Sequence, residues 1–566
     1  MRILLPFLSL ALVAAPPAEV RLRQDLERLA SPALGGRGNG DATLDQAMDY
    51  MAAAYRKLGL EPKLQRYAWV ARVKRQEAAA SLGGKALAWG TDMEAAGYSA
   101  DADLKGLPLR FVGCGLKAGA YDDLGDLKGK AALLFRRLPE AAAFAQLKRA
   151  DTGLLARIRA CEAAGAAAIL LVEEGEAPRA LSREEGPTSL ALPVLSLPAK
   201  TLAPWMDLAA LRAKIVETGQ AQAVPEPDAK LDLKLALKRE EVQMPNLAVL
   251  LPGKDPARQD QVIVVGGHLD HLGHGERHSS AGEAGRGQVH PGADDNGSGS
   301  VLTLELARRF AAQPASRPIL FLHFSAEEEG LLGSTAWVRN PTLPLSHVKF
   351  MVNLDMVGRL DPAKPTLLMG GLGAPKAALE RARSFAPPGL ALGTDVGAAV
   401  GGSDHMSFSA ARIPTFFFFT GLHKDYHKPT DTADRINYAG MVQVEEMVAK
   451  VVRDLADGAE VPAFDPETAK IQSSRDSAPM AVSLGVLPDF TENQLGFRIT
   501  DTSRNSAAEA AGMKGGDIIV AIAGKPVKSI YDYMAVLSGR KPGDKVLVEW
   551  LRDGAKMSAE ATLKAR

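Results

Sequence analysis

Cysteine is nearly absent from this chain: its 566 residues contain two, Cys114 and Cys161. So few can build neither a cysteine metal cage nor a disulfide framework. The pair is either one disulfide or two small buried thiols, and the sequence does not choose between them. An excess of either charge is also lacking, since Lys plus Arg and Asp plus Glu both number 67. There is no global basic field to hold nucleic acid or an anionic membrane, so peptides and small molecules are the expected partners. Long apolar runs are scarce too. The run Ile3 to Ala15, broken by Pro6 and Ser9, is shorter than the roughly 20 residues a membrane helix needs. Preceded by Arg2 and ending in Val13, Ala14 and Ala15, residues 1–15 read as a signal peptide, with an uncleaved anchor as the alternative. The expected destination is exported, periplasmic or extracellular, with no stable membrane insertion once the signal is removed.

What remains is ample for packed domains: 46% of the residues are hydrophobic, and the length suits about three or four domains of ~150 residues. All ten histidines lie between His268 and His427, which marks one segment as the seat of chemistry. Ahead of it, Leu22 to Leu60 has helical spacing through Leu44, Ala47, Met48, Met51 and Tyr55. Residues 76–223 change to short strands, glycines and an Ala-rich helix. Residues 460–479 read as a linker, and 480–566 as a small unit of short strands with one helix.

Within the histidine-rich segment, four strand-like runs each end in groups able to bind metal. Gln261 to Val265 leads to GGHLDH, with His268 and Asp270. Ile319 to Phe324 leads to Glu327 and Glu328, Val348 to Leu354 leads to Asp355, and Thr415 to Thr420 is followed by Tyr426 and His427. Buried strands separated by helix-length segments predict an α/β fold, in which ligands gather at the carboxyl ends of the strands. The glycine-rich GADDNGSG, residues 292–299, opens a helix. A phosphate site is disfavoured there, because no Lys follows and the acidic pair would repel an anion. An Asp near a helix N-terminus suits metal bridging better.

GGHLDH, HPGADDNGSG, FSAEEEGLLGS, NLDMVG and DYHKPTDT follow one another in the order and approximate spacing of the M28 metallopeptidases, which the stretch from Met244 to Leu455 resembles. The resemblance implies a mixed, mostly parallel sheet flanked by helices, of the zinc exopeptidase type, built from residues 16–75 and 224–459. It implies two Zn2+ per chain, other divalent metals being alternatives. One would take His268 and Asp355, the other Glu328 and His427, and Asp295 would bridge them. Glu327 matches the general base that activates a metal-bridged water. Asp270 matches a carboxylate that fixes the His268 tautomer, and Tyr426 a hydroxyl that stabilises the oxyanion. The implied activity is removal of N-terminal residues from peptides. A carboxypeptidase of the same fold and a non-catalytic peptide-binding protein on this scaffold are the alternatives. Asp294 is expected to be a neighbour, His290 to line the site, and His405 to take no part in the chemistry. His271, His274 and His278 are expected to be solvated loop residues.

Two flanking resemblances complete the plan. GDLKGKAALLFRR, RIRACEAAGAAAILL and LPVLSLP, within residues 76–223, are similar to an inserted protease-associated (PA) domain. The C-terminal unit resembles a PDZ domain, in which Leu484, Gly485 and Val486 would receive the carboxylate of a peptide C-terminus. Its first loop glycine is replaced by Ser483.

Overall fold

A computed structural model describes residues 16–565 except 119–120, 140, 142–143, 145–146, 148–151, 174, 180–189, 223, 394–401, 470–481, 489–495, 503–505, 528–529, 538–539 and 553. The signal segment 1–15 and the second half of the 460–479 linker therefore lie outside the described residues. Two compact units make up the chain, Met1–Tyr67 with Met244–Arg566 and Ala68–Gln243. The second is wider than the stretch 76–223 read from the texture change. Each end of this unit falls inside a long continuous strand, Pro62–Leu82 or Lys230–Leu251, rather than in a linker.

The first unit is organised by seven strands in the order Ala391–Gly393, Thr366–Gly370, Thr415–Phe419, Val348–Leu354, Val262–His268, Ile319–Phe324 and the second half of Lys230–Leu251. The central four are parallel. Antiparallel neighbours close both sides of this group. The result is the mixed, mostly parallel sheet anticipated above. All residues of Ile319–Phe324 and Thr415–Phe419 are buried, which explains why these strands read as continuous apolar runs rather than as an alternation. Helices Ala18–Leu29, Gly299–Ala312 and Tyr438–Asp457 pack on one another. Leu22, Leu26 and Leu29 recur at helical spacing and are fully buried. Leu332–Arg339 sets Trp337 against Phe408, stacked with ring centroids 5.6 Å apart. The expected helix from Leu22 to Leu60 is two helices, Ala18–Leu29 and Ala42–Arg56. They are parted by a turn at Pro32–Arg37 in which Gly35 and Gly36 are left-handed.

In the Ala68–Gln243 unit the parallel strands Ala102–Gly113, Ala131–Phe135, Ala168–Glu173 and Val194–Pro198 lie side by side. Cys114 and Cys161 are both buried and both free. Burial pushes each thiol up to about 12, and the Tyr121 hydroxyl donates to Cys114 Sγ at 3.3 Å. Of the two readings left open for this pair, the structure has the buried thiols.

Residues 482–565 build their own core around Phe497, Ile499, Ile519, Val548 and Trp550. Leu484 is buried in that core, and Gly485 is left-handed at φ +73°. A Cβ on Gly485 would stand 2.3 Å from Ser506 Cβ, so only glycine fits the turn. Among the described residues no helix is long and apolar enough to cross a membrane.

Trp337 is fully buried, and truncating it leaves a cavity that the sheet and helix cannot close. Trp337→Ala should lower the unfolding free energy by about 3–5 kcal/mol in equilibrium denaturation.

Candidate metal centre

The parallel strands deliver their chemistry at one end. His268 is the last residue of its strand, Asp355 follows Leu354, and Glu327 and Glu328 lie just beyond Phe324. With Asp295 and Tyr426 they line a pocket of about 180 Å3. Met356, Phe417, Phe419 and Leu422 supply its apolar wall. Several turns that aim these groups are held in conformations L-residues rarely adopt: Ala326 at φ +51°, Met356 at +50° and His427 at +56°. Left-handed backbone at non-glycine positions costs energy and persists where the surroundings enforce it.

Two donor sets face each other. His268 Nε2 lies 3.4 Å from Asp295 Oδ1 and 3.5 Å from Asp355 Oδ1. His427 Nε2 lies 3.1 Å from both Asp295 Oδ2 and Glu328 Oε2. Asp295 thus offers one carboxylate oxygen to each set. Separations of this size suit donors that share one small cation. Buried Asp355 Oδ1 and His427 Nε2 have no hydrogen-bond partner in the protein, as expected of atoms reserved for a metal. A set of imidazole and carboxylate donors without thiolate fits zinc and neighbouring divalent ions.

The electrostatics point the same way. Burial opposes charge on His268, yet Glu327, Asp355, Asp270 and Asp295 outweigh it and hold the imidazole well above its usual range. His427 is likewise raised to about 11, burial being overcome by Glu328 and Asp295. Glu328, for which burial also costs, is drawn down to about 2 by the charge of His427 and by the hydrogen bond from His271. Glu327 goes the other way, pushed well above the carboxylate range by burial and by the charges of Glu328, Asp355 and Asp404. The carboxylates thus draw protons onto both imidazoles, so positive charge is favoured in this pocket, and divalent cations would supply it in place of those protons.

A surrounding layer fixes the donors. His268 Nδ1 donates to the backbone carbonyl of Asp270 at 3.2 Å, which leaves Nε2 facing the pocket. The Asp270 carboxylate lies 3.5 Å from Nδ1 and is engaged by the Glu327 and Glu328 N–H groups at 3.2 and 3.4 Å. His427 Nδ1 donates to the His278 carbonyl. Both backbone N–H groups of Asp294 and Asp295 donate to Asp431 Oδ2. Asp294 binds Gly358 N–H and His423 rather than the pocket. Tyr426 lines the pocket and stacks on His427, with centroids 3.9 Å apart. Burial and the nearby carboxylates raise its phenol well above the usual range, so it stays a proton donor.

Several residues differ from expectation. His271 is not a solvated loop residue: it is 1% exposed and its Nδ1 lies 2.8 Å from Glu328 Oε1. The Gly- and Ser-rich loop hides this, because its first residues are still anchored to the sheet end. His274 and His278 are exposed, as expected of that loop. His290 is buried against Ser279 Oγ and is not among the pocket-lining residues. His405 stacks on Phe417 and contacts Asn353. Sequence reading missed Arg37 and Asn39 altogether. Arg37 is fully buried and donates to the carbonyls of Leu29, Leu269, Pro291 and Gly292, while Asn39 bridges Asp270 and Ala326 N–H. Leu29 apart, the groups they brace lie more than 200 residues further along the chain, and no local pattern signals them.

In the PDZ-like unit the Gly485 N–H is already taken by the Ser483 hydroxyl at 2.8 Å. Val486 pairs with Thr502.

Gly292 is left-handed at φ +56°, and a Cβ there would stand 2.5 Å from the His271 ring and 2.3 Å from the Asp295 carbonyl oxygen. Gly292→Ala should leave a folded protein whose affinity for divalent metal, read by chelator competition, falls by about tenfold or more.

Residues 246–452 match the profile of Peptidase family M28, and residues 482–563 that of a PDZ domain. Aminopeptidase YwaD of Bacillus subtilis is 28% identical over 436 residues, which are 75% of this chain and 82% of that protein. Leucine aminopeptidase 1 of Trichophyton rubrum is 37% identical over 131 residues, 22% of this chain and 32% of the relative. The chain thus spans most of the bacterial relative and about a third of the fungal one. Among solved structures, an aminopeptidase from Aneurinibacillus sp. strain AM-1 superposes with a TM-score of 0.49 at 23% identity, covering 79% of this chain and 96% of that one.

Proposed function

We propose that this chain, whose residues 246–452 form a domain of Peptidase family M28, is an exported two-metal aminopeptidase that releases N-terminal residues from peptides. The observation that carries this reading is the placement of Asp295, one oxygen toward His268 and Asp355 and the other toward His427 and Glu328, with Glu327 beside them. Two divalent cations, zinc in the first instance, would supply Lewis acidity for the scissile carbonyl and a water of lowered pKa. His268 and Asp355 would hold one, Glu328 and His427 the other, and Asp295 both. Glu327, freed to ionise by that added positive charge, takes the proton of the attacking water and returns it to the leaving amine. Tyr426, kept protonated by its surroundings, donates toward the oxygen that becomes negative in the tetrahedral intermediate. Asp270 keeps the Glu327–Glu328 turn and His268 in register.

The pocket lining also favours the amino end over the carboxyl end. Among the described residues that line it there is no Lys or Arg to meet a substrate carboxylate. Met356, Phe417, Phe419 and Leu422 suit an apolar first side chain, in keeping with the aminopeptidase names of the relatives. The apolar leader Ile3 to Ala15 supports export. Residues 76–223, within the Ala68–Gln243 unit, are read as the PA domain, and Leu484, Gly485 and Val486 as the peptide-carboxylate loop of the PDZ domain. For Gly485 to donate there, Ser483 Oγ must first turn away.

Metal content and cleavage of a free-amine dipeptide series, with N-blocked and C-amidated counterparts, test this reading. About two zinc per chain and a requirement for a free N-terminus are expected. A requirement for a free C-terminus would make the enzyme a carboxypeptidase, and no metal with no turnover would leave a binding protein. Glu327→Gln should lower kcat by about 100- to 10,000-fold with both metals retained. A strong chelator should abolish turnover, with zinc restoring it.

A further inference from the structure

His271 lies outside the two donor sets described above, yet it is seated as firmly as any residue in them. Its backbone N–H donates to Arg37 O, and its strand-like bridge to Gly38 ties the N-terminal segment to the sheet end. Gly292 lacks the side chain that would collide with the ring, and the Arg37 guanidinium grips the carbonyls of Leu269, Pro291 and Gly292 on either side. The ring is 5.7 Å from that of His427. Its Nδ1 meets Glu328 Oε1 at 2.8 Å but stands 3.8 Å from Asp295 Oδ2.

The two oxygens of Glu328 are therefore claimed separately. Oε2 faces His427 Nε2 and Asp295, while Oε1 faces His271 Nδ1. A nitrogen at hydrogen-bond distance from a carboxylate must carry the proton, so Nδ1 donates. We propose that His271 is a positioning residue for the second metal site: its Nδ1–H holds Oε1 of Glu328 and so presents Oε2, alone and in a fixed direction, beside His427. Carboxylate ligands left without such a partner rotate and lose affinity, typically 10- to 100-fold. The inference rests on the two-metal reading given above.

Metal binding to the full-length protein tests it, with zinc affinity read by competition against a chromophoric chelator and Co2+ absorption reporting the ligand field. Wild type should bind two ions. His271→Ala should keep the tighter ion and bind the other about 10- to 100-fold more weakly, with the melting temperature of the metal-free protein near that of wild type. Asn places an N–H donor where His has Nδ1, and Gln places one where His has Nε2. His271→Asn should therefore recover most of the affinity, with a wild-type Co2+ spectrum, and His271→Gln should not. Two ions held as tightly by His271→Ala as by wild type would overturn the positioning role and leave the two-metal reading standing. His271→Asn as weak as His271→Ala, with an altered Co2+ spectrum, would overturn it in favour of direct ligation. Failure of wild type itself to take a second ion would remove both. Should the Ala variant not fold, the Asn and Gln pair still decides the question.

Discussion

Four carboxylates, those of Asp295, Glu327, Glu328 and Asp355, meet in one small pocket, and the rest of the site follows from the need to offset their charge. Carboxylates taken out of water and set side by side repel one another, and the folded chain must answer that cost. It does so in layers. Three imidazoles stand among the oxygens. Backbone N–H groups are spent on a second tier of acids, Asp270 and Asp431, which brace the turns rather than face the pocket. Arg37 gathers the carbonyls that these turns leave pointing inward. What is still uncompensated is what a pair of dications would neutralise.

Parallel strand geometry makes such a gathering feasible. Adjacent parallel strands end at the same level, so one or two residues beyond each end share a small volume while coming from distant parts of the chain. His268 pairs in register with Phe324, and Leu354 with Phe418, which sets the turns after all four strands at a common height. The Thr415–Phe419 strand shows a second economy. Phe417 and Phe419 line the pocket, whereas Phe416 packs with Phe350, so alternate residues of one buried strand serve recognition and core.

Strained or crowded backbone braces the site at several positions beside the donor residues. Ala326 and Met356 take left-handed backbone next to Glu327 and Asp355, and Gly292 vacates the space that His271 occupies. These residues help fix where the donor atoms stand. That placement is what turns a set of acids and imidazoles into two donor sets sharing Asp295.

The sequence by itself determined the parallel-sheet core and most of the pocket. Its buried strands are written as apolar runs of five to seven residues, and each run is followed at once by its donors, so strand and donor are adjacent in the chain. His268, Glu327, Glu328 and Asp355 are legible for that reason, Asp295 from the glycine-rich loop that opens a helix and Tyr426 from a motif past its strand, and the fold brings them together with His427. Only the tertiary structure decided the roles of Arg37, Asn39 and His271. The first two act across more than 200 residues, and the third looks like one more loop histidine until the N-terminal segment closes over it. Local pattern records what a segment must bury. Which distant segment buries it, and at what angle it presents a nitrogen to a carboxylate, is set by packing among parts of the chain that carry no mark of one another.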